Sequence, residues 1–598
     1  MLKNPGVILQ KSSWDNSTWH RQRGRRLTVR TQRDLERQLV AIDGRGYPAY
    51  KSLRGVYDLG AFELSIDHVQ GDPFATPSLV FVHVPAARAG FAREFYATPE
   101  RCVAVEDLLV RRFATEAKRV SFRVRGSGKS GLIATSSPGP EVLPRSACEV
   151  GGEGVLLRLE MGFPAHGRTV DAQALATMLF DLLPACVERA LVCDDACRRA
   201  ACEAIELADD QAAVRAALAR LGLVAFVADG SILPRESGVS ARPLRGAEPF
   251  TSPESLSVEL DLPHRGRVRG LGVRRGITLI VGGGYHGKST LLKALQEGVY
   301  NHVAGDGREL VITDATAMKL RAEDGRAVRD VDISPFISNL PDGRDTRAFS
   351  TEDASGSTSQ AAATIEAIEA RAQTLLIDED TSATNFMVRD ALMEAVVAAD
   401  REPITPFVER ARALWEERGV SSVIVVGSSG AFFPVADCVV QMDCYRAFDI
   451  TERVRKVCKE HGVEAFGTKG ASAWSESRSG RFLTLSAKAF RRDERGRGPK
   501  VHARGLDSFS VGSGEADVRL VEQLVDSEQV AALAQMVRLM GEERLLDGSR
   551  SLANAVDEVY RRFEHDGWWA LAARGDVACG FALPRPQELF CALNRWRA

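Results

Sequence analysis

The feature that most constrains this chain is a glycine-rich loop between a predicted strand and a predicted helix. Residues 282–290 read GGGYHGKST and satisfy the P-loop pattern G-x-x-x-x-G-K-[ST]. The apolar run Ile277–Val281 comes directly before the loop, and a helical pattern begins near Leu291. In this context the glycines let backbone N–H groups curve around phosphate oxygens at a helix N-terminus. The loop therefore predicts a nucleotide-binding site on an α/β fold.

Within the P-loop, individual residues have predicted roles. Lys288 is expected to reach the β and γ phosphates of ATP, and the Ser289 hydroxyl is expected to bind Mg²⁺. His286 occupies a position whose backbone, rather than its side chain, is expected to face phosphate. The predicted ATP-binding residues of the loop are Gly282, Gly283, Gly284, Tyr285, His286, Gly287, Lys288, Ser289 and Thr290.

A second motif is an apolar strand that ends in two acids. Residues 375–379 read LLIDE. Asp378 is suited to hold Mg²⁺ through water, and Glu379 is suited to polarise an attacking water. Two acids at a strand end are often only a solvated loop, but together with a P-loop they predict a hydrolytic site. Lys288 and Glu379 are the predicted catalytic residues.

Small hydroxylated residues precede the helical pattern at 361–372, where residues 354–360 read ASGSTSQ. Such residues can simply cap a helix, and they can also form an anion site. Their position before Asp378 is similar to that of the signature loop of ABC-type ATPases. In that class the loop contacts the γ-phosphate bound by the other subunit, so the likeness implies that Ser355, Gly356 and Ser357 bind ATP across a homodimer.

The wider pattern predicts several domains, because 598 residues exceed the size of a single core. Residues 61–84 predict strands joined by a tight loop, residues 171–221 predict two or three helices, and the pattern beyond 451 is one of mixed helices and loops. Four β-rich runs predict a mainly parallel α/β sheet, at 277–281, 310–313, 374–377 and 422–426. The predicted organisation is a basic N-terminal arm (1–35), an N-terminal α/β domain (36–240), an ABC-type ATPase core (241–450) and a smaller C-terminal domain (451–598).

Residues 118–129 alternate apolar and basic side chains, which predicts a strand with one apolar and one basic face. A solvated strand face and an RNA-binding face are both compatible with this pattern. The candidate RNA-binding residues are Arg119, Arg123, Arg125 and Lys129. The next candidates are Arg491, Arg492, Arg495 and Arg497.

Charge and hydropathy exclude some classes of protein. The formal net charge of −2 gives no global nucleic-acid signature, so any basic patch must be local. No run approaches the ~18 apolar residues that a membrane span needs, so no membrane partner is expected. The first 35 residues are rich in arginine and poor in acids, which is compatible with mitochondrial import or with a nucleic-acid-binding arm.

These motifs together resemble the predicted ATPases of the ABC class, a soluble family without transmembrane segments. The likeness is carried by residues 282–290, 354–360 and 378–387, and extends through 44–47, 70–75, 402–406 and 585–589. Within the family the chain looks closest to a kinetoplastid mitochondrial member associated with RNA editing. The resemblance implies ATP and Mg²⁺ as cofactors, a homodimer, single-stranded RNA and an RNA-editing protein complex as partners, and a mitochondrial location, with a cytoplasmic one as the alternative.

The chain departs from the general ABC pattern at three positions. Ser428 stands where transporters have a histidine, and it cannot act as a cationic sensor of the γ-phosphate. Asp380 replaces a proline, and Asn385 stands where an aspartate is common. Hydrolysis is therefore expected to be slow. An ATP-driven RNA-binding enzyme and an ATP-dependent scaffold without productive turnover both remain open, while the large additional domains disfavour a transporter subunit.

Overall fold

The computed structural model describes residues 28–389, 396, 402–463, 480–492, 494, 496, 498–572 and 577–598. These residues form two compact units. The N-terminal unit contains the described residues up to 209 and those of 561–583, and the P-loop unit contains the described residues of 210–560 and 584–598. No helix among the described residues is both long enough and apolar enough to cross a membrane.

The N-terminal unit is built mainly on one sheet. Its strands are β1 (Val29–Thr31), β2 (Gly55–Asp58), β3 (Glu63–His68), β4 (Ser78–Pro85), β5 (Ile133–Ala134), β6 (Glu141–Val142), β7 (Cys148–Gly151), β8 (Gly154–Met161), β9 (Ala165–His166) and β10 (Thr169–Val170). Its helices are α1 (Gln32–Ile42), α2 (Ala86–Ala89), α3 (Pro99–Val120), α4 (Ala172–Thr177) and α5 (Leu183–Leu191). Helix α6 (Asp195–Leu221) contains the boundary at residue 209.

The strand order of this sheet is β1-β2-β3-β4-β8-β5, with β7 also pairing with β8. Strands β1 and β2 are parallel, and the other pairs in this sheet are antiparallel. Val82 and Leu157 lie opposite each other on β4 and β8 and are fully buried. They belong to the same apolar core as Leu109 and Phe113 of α3. The N-terminal unit therefore has its own core.

The P-loop unit contains the remaining elements. Its strands are β11 (Leu223–Ala228), β12 (Ser257–Leu262), β13 (Gly266–Arg274), β14 (Ile277–Val281), β15 (Asn301–His302), β16 (Val311–Thr313), β17 (Met318–Leu320), β18 (Arg326–Val331), β19 (Phe349–Ala354), β20 (Thr374–Asp378), β21 (Ser421–Val425), β22 (Cys438–Asp443), β23 (Arg446–Asp449), β24 (Val501–Arg504), β25 (Ser508–Val511), β26 (Gly514–Asp517) and β27 (Trp596–Arg597). Its helices are α7 (Lys288–Glu297), α8 (Gly356–Glu369), α9 (Thr384–Met387), α10 (Phe407–Arg418), α11 (Thr451–Glu460), α12 (Ser527–Glu542), α13 (Leu552–Asp566) and α14 (Pro586–Asn594). Helix α13 contains the boundary at residue 560.

The central sheet of the P-loop unit has the order β17-β20-β21-β14-β22-β23. The first five strands are parallel, and β23 pairs antiparallel with β22. Strands of a parallel sheet are covered on both faces, which explains their continuous apolar runs. Leu279, Leu376 and Ile424 are accordingly buried completely. Since the carboxyl ends of parallel strands share one edge, the loops after β14, β20 and β21 lie side by side.

The last hundred residues add a four-stranded antiparallel sheet, β24-β25-β26-β27, and the helices α12 to α14. A short segment before α12 contacts the P-loop helix α7 and its continuation. The Gln296 side chain donates to the Glu522 carbonyl at 2.8 Å, and the Tyr300 hydroxyl donates to the Gln523 carbonyl at 2.9 Å. The Gln523 side chain also accepts a 3.0 Å hydrogen bond from the Lys319 backbone N–H.

Much of the predicted secondary structure is confirmed. Residues 61–84 contain β3 and β4 joined by a loop, and residues 171–221 contain α4, α5 and α6 with a π-helical turn at Met178–Leu182. The P-loop lies between β14 and α7, as its motif requires. The acidic pair follows the apolar part of β20.

The prediction of a strand at residues 118–129 is wrong. Helix α3 continues through Val120, and turns follow it. Phe113, Ala117 and Val120 are spaced at helical intervals and are buried, so Val120 belongs to a helix face rather than to an alternating strand. Phe122 has a backbone φ of +62° and is 55% exposed. Arg119, Arg123, Arg125 and Lys129 therefore do not share a strand face.

Three further predictions need correction. The run at 310–313 is not part of the parallel sheet, because β16 pairs antiparallel with β11 in the separate sheet β12-β13-β11-β16. The predicted C-terminal pattern of helices and loops omitted β24 to β27, which are short; glycine-containing turns join β24 to β25 and β25 to β26. Residues 29–35 of the predicted basic arm form β1 and the start of α1. The rest of the arm up to residue 27, like Arg495 and Arg497, lies outside the described residues.

Helix α8 is tied to β18 by a buried ion pair between Glu366 and Arg326, at 2.8 Å, with both side chains 3% exposed. We expect Glu366→Ala to lower the free energy of unfolding by about 3–5 kcal/mol, because it leaves a buried guanidinium without its carboxylate. Adding Arg326→Met should recover much of this loss. Urea unfolding monitored by circular dichroism measures the effect.

The control is Asp557→Ala, which removes an exposed ion pair with Arg371 whose side chains are 51% and 43% exposed. Its cost should stay below about 1 kcal/mol. Equal costs for the buried and the exposed pair would contradict the prediction.

Candidate functional site

The P-loop adopts a backbone that requires glycine at two positions. Gly282 has a φ of +141°, and a Cβ there would lie 2.2 Å from the Met442 carbonyl oxygen. Gly287 has a φ of +100°, and a Cβ there would lie 2.9 Å from the Tyr445 ring. Gly287 also precedes α7 without a side-chain cap. Because the first N–H groups of a helix lack intrahelical partners, this turn fits a phosphate group.

The Lys288 ammonium lies over the loop that precedes it. Its Nζ donates to the carbonyls of Gly282 and Gly283, at 2.8 Å each. An ammonium has three N–H donors, so these two bonds fix its position and leave a third donor for an anion. The positive charge therefore lies beside the N-terminal turn of α7.

The side chain of His286 turns toward the β22–β23 hairpin. Its Nδ1 lies 2.8 Å from Asp443 Oδ1 and 3.0 Å from the Cys444 backbone nitrogen. One ligand atom each from His286, Asp443 and Cys444 lie within 4.8 Å of one another, which is close enough to share a metal ion. Tyr285 is fully exposed. The His286 side chain thus contacts the hairpin.

Asp378 and Ser289 supply the oxygen atoms that Mg²⁺ prefers. Asp378 is 8% exposed, and burial raises the pKa of its carboxyl. The nearby Lys319 ammonium and Ser289 hydroxyl oppose that rise in the pKa. The Asp380 backbone N–H donates to Asp378 Oδ1 at 3.3 Å. A carboxylate and a hydroxyl therefore meet beside the P-loop, where an Mg²⁺ bound with phosphate would need them.

Glu379 is held by the loop that follows β21. Its Oε2 accepts from the Gly427 N–H at 2.6 Å and from the Ser428 N–H at 3.1 Å. Its Oε1 accepts from the Ser428 hydroxyl at 2.7 Å. The carboxylate thus has a defined orientation without any ligand.

Lys319 is a site residue that sequence reasoning missed. It lies on β17 beside β20, and its Nζ donates to Thr381 Oγ1 and to the Leu320 carbonyl, at 3.2 Å each. Burial lowers the pKa of its ammonium, while the Glu522 and Asp378 carboxylates raise it. The only indication in the sequence was a single lysine between two apolar residues of a short strand.

The predicted signature residues lie at the N-terminus of α8. The Ser355 hydroxyl accepts from the Thr358 N–H at 3.4 Å and caps the helix. Gln360 is buried, and its side chain contacts the segment after Glu379 by accepting from the Ala383 N–H at 2.8 Å and donating to Ser382 Oγ at 2.9 Å. Within the described part of the chain, no hydrogen bond joins Ser355, Gly356 or Ser357 to the P-loop.

The basic residues of the N-terminal unit have different surroundings. Arg119 forms an ion pair with Glu116, and Arg123 Nε donates to the Arg119 carbonyl at 3.0 Å. Arg123 and Arg125 are exposed. Lys129 is half-buried and lies near Glu160, where its charge opposes the rise in the pKa of that carboxyl caused by burial.

Two exposed aromatic side chains lie on the loop that carries Arg123 and Arg125 or on the loop that is hydrogen-bonded to it. Phe122 is 55% exposed and directly precedes Arg123, while Phe74 is 66% exposed. The Lys129 N–H donates to the Pro73 carbonyl at 2.8 Å, which joins the loop of Phe74 to the loop of residues 122–131. Sequence reasoning missed both aromatic residues, because nothing placed these two loops together.

Comparison with known protein families covers most of the chain. A model described as the P-loop domain of ABC ATPases matches residues 197–476, and one described as the N-terminal region of ATPases of the ABC class matches residues 32–194. A third, described as the MRB1590 C-terminal domain, matches residues 500–598.

Two individual proteins are also similar to parts of the chain. An uncharacterized protein of Methanocaldococcus jannaschii is 34% identical over 229 residues, which are 37% of this chain. The match spans 50% of that relative's length. The structure of an ATP-binding cassette of an ABC transporter in its ADP conformation is matched at 10% identity with a TM-score of 0.24, over 40% of this chain and 96% of the cassette.

The family matches also agree with the geometry. The P-loop match contains the strand–loop–helix of β14 and α7, the acids after β20 and the start of α8. The three models follow one another from residue 32 to residue 598. The chain therefore belongs to the ATPases of the ABC class.

Proposed function

We propose that this chain binds Mg-ATP at the P-loop, hydrolyses it slowly between two copies of itself, and couples this cycle to binding of single-stranded RNA. The observation that carries the proposal is the convergence of three groups at one sheet edge. At this edge lie the Lys288 ammonium, the oxygen atoms of Ser289 and Asp378, and the Glu379 carboxylate. Lys288 and Ser289 begin the helix after β14, and Asp378 and Glu379 lie at the end of the parallel strand β20.

Each group has a separate chemical role in this proposal. Lys288 and the first N–H groups of α7 bind the phosphates, and Ser289 and Asp378 hold Mg²⁺. Bound Mg²⁺ supplies positive charge that offsets the charge of the phosphates. Glu379 orients the attacking water and accepts its proton. These assignments use only residues that lie in one compact unit.

We propose a homodimer in which Ser355, Gly356 and Ser357 of one copy contact the ATP of the other. These residues sit at the N-terminus of a 14-residue helix, where a negative charge is stabilised. Ser355 is exposed, so it is accessible to a second copy. A two-fold arrangement would place this helix end of each copy against the ATP of the other and make both sites equivalent.

RNA binding is proposed for the loops of residues 72–75 and 122–131 in the N-terminal unit. Exposed arginines contact phosphates, and exposed aromatic rings stack on unpaired bases. Arg123, Arg125, Phe74 and Phe122 offer both kinds of contact. The match to the MRB1590 C-terminal domain supports an RNA-editing setting, with a mitochondrial location and an RNA-editing complex as partner. The alternative is an ATP-dependent scaffold without productive turnover, which substitution of Glu379 distinguishes.

Two variants separate nucleotide binding from turnover. Lys288→Ala should abolish ATP binding, because the phosphates lose their main cationic partner in the protein. Glu379→Gln should bind ATP as the wild type does and turn it over at least about a hundredfold more slowly, since an amide is a poor proton acceptor. Isothermal calorimetry and phosphate release measure the two effects. Unchanged ATP affinity in Lys288→Ala would show that the P-loop assignment is wrong.

Dimerisation should depend on bound nucleotide. Glu379→Gln with Mg-ATP is expected to sediment as a dimer at micromolar concentration, because ATP that is not hydrolysed keeps both interfaces joined. The matched control, Lys288→Ala/Glu379→Gln, should stay monomeric under the same conditions. A monomer in the first sample would count against the shared site.

RNA binding should depend on the two exposed arginines. We expect Arg123→Ala/Arg125→Ala to bind all single-stranded RNA sequences more weakly, with a salt dependence that is shallower by about 0.7 per lost phosphate contact. Filter binding at several salt concentrations measures both changes. Arg198→Ala/Arg199→Ala removes the same charge from exposed positions of α6 and serves as the control. Equal affinity and slope in the two double variants would move the site elsewhere, with Arg491 and Arg492 as the next candidates.

A further inference from the structure

The loop after β21 donates three hydrogen bonds to the Glu379 carboxylate. Strands β20 and β21 pair in parallel with Asp378 opposite Val425. This register places Glu379, the residue after Asp378, beside Gly427 and Ser428, which follow Val425 by two and three positions. The contact between the two loops is therefore set by the strand pairing.

The three hydrogen bonds to Glu379 divide unequally between its two oxygens. Oε2 accepts the two backbone N–H groups, whereas Oε1 accepts one bond from the Ser428 hydroxyl at 2.7 Å. A carboxylate oxygen can accept two hydrogen bonds, so Oε1 keeps one acceptor position. Rotation about the last bond of a glutamate side chain is soft. The backbone bonds hold only Oε2, so they leave the orientation of the carboxylate plane less defined. The hydrogen bond from the Ser428 hydroxyl to Oε1 therefore restrains that plane.

We propose that Ser428 is the positioning residue of the hydrolytic site: its hydroxyl orients Glu379 so that the remaining acceptor position of Oε1 faces the attacking water. The inference rests on the proposed ATPase function. In this role the serine acts through Glu379 rather than through the phosphate. An uncharged hydroxyl is sufficient for it, because the required property is a short donor contact and not a positive charge.

The side chain of Ser428 suits substitution experiments. Ser428 is exposed, so Ser428→Ala removes the hydroxyl without opening a cavity, and Ser428→Thr keeps the hydroxyl. Its neighbour Ser429 provides the control, because the Ser429 hydroxyl accepts from the Ala431 N–H at 3.2 Å instead. Ser429→Ala therefore removes a hydroxyl from the same loop and leaves the three bonds to Glu379 in place.

The decisive measurement is steady-state ATP turnover together with calorimetric ATP affinity. Ser428→Ala should lower kcat at least about tenfold, as expected for a lost hydrogen bond to a charged group, with KM and ATP affinity unchanged. Ser428→Thr should restore kcat to within about threefold of the wild type, and Ser429→Ala should match the wild type. A merely structural role would also change ATP affinity and would not require a hydroxyl.

A double-variant cycle tests whether Ser428 acts through Glu379. Ser428→Ala should have no further effect in the Glu379→Gln background. An undiminished additional loss there would overturn the proposal, as would an unchanged kcat in Ser428→Ala or a failure of threonine to restore it. A wild-type chain that binds ATP but never hydrolyses it would overturn the proposed ATPase function along with this inference. Normal wild-type turnover that Ser428→Ala leaves intact would overturn the inference alone.

Discussion

Parallel pairing of β20, β21 and β14 is the constraint on which the candidate site depends. Because Asp378 pairs with Val425, and Ile280 pairs with the same residue from the other side, the three following loops begin at one level of the sheet. A one-residue slip in the pairing would turn side chains to the opposite face. The apolar runs of these strands are buried on both faces, and that burial fixes the register. The ammonium, the acids and the serine loop are thereby held together before any ligand binds.

The parts of the site that were predictable from the sequence are contiguous in it. The P-loop and the acidic pair each lie within ten residues of the strand that carries them, so local pattern was sufficient. Lys319 and Ser428 were not predictable in their observed positions, since each comes from another strand: Lys319 donates to Thr381, and Ser428 donates to Glu379. In the sequence, Ser428 is recognised only as a replacement for a histidine. Its contact with Glu379 becomes visible only in the structure.

The error at residues 118–129 has a similar origin. Alternation over a few residues fits a strand, but Val120 also continues the helical spacing of Phe113 and Ala117. Periodicity alone cannot choose between these structures where a helix ends. Arg123 and Arg125 therefore lie in a turn that is hydrogen-bonded to the loop of Phe74, and not on the regular face of a strand. The same basic composition thus presents a less regular surface that includes two aromatic rings.

The segment before α12 has a consequence for how the chain can be divided. Tyr300 is 6% exposed, and its hydroxyl, the Gln296 amide and the Lys319 N–H all find partners in Glu522 or Gln523. Buried polar groups that lose such partners destabilise a fold. Gln296 lies in α7, Tyr300 follows that helix, and Lys319 lies on β17 beside β20. A fragment cut before residue 500 would therefore lack part of the interior of the P-loop unit, because Glu522 and Gln523 supply partners to α7, its continuation and β17.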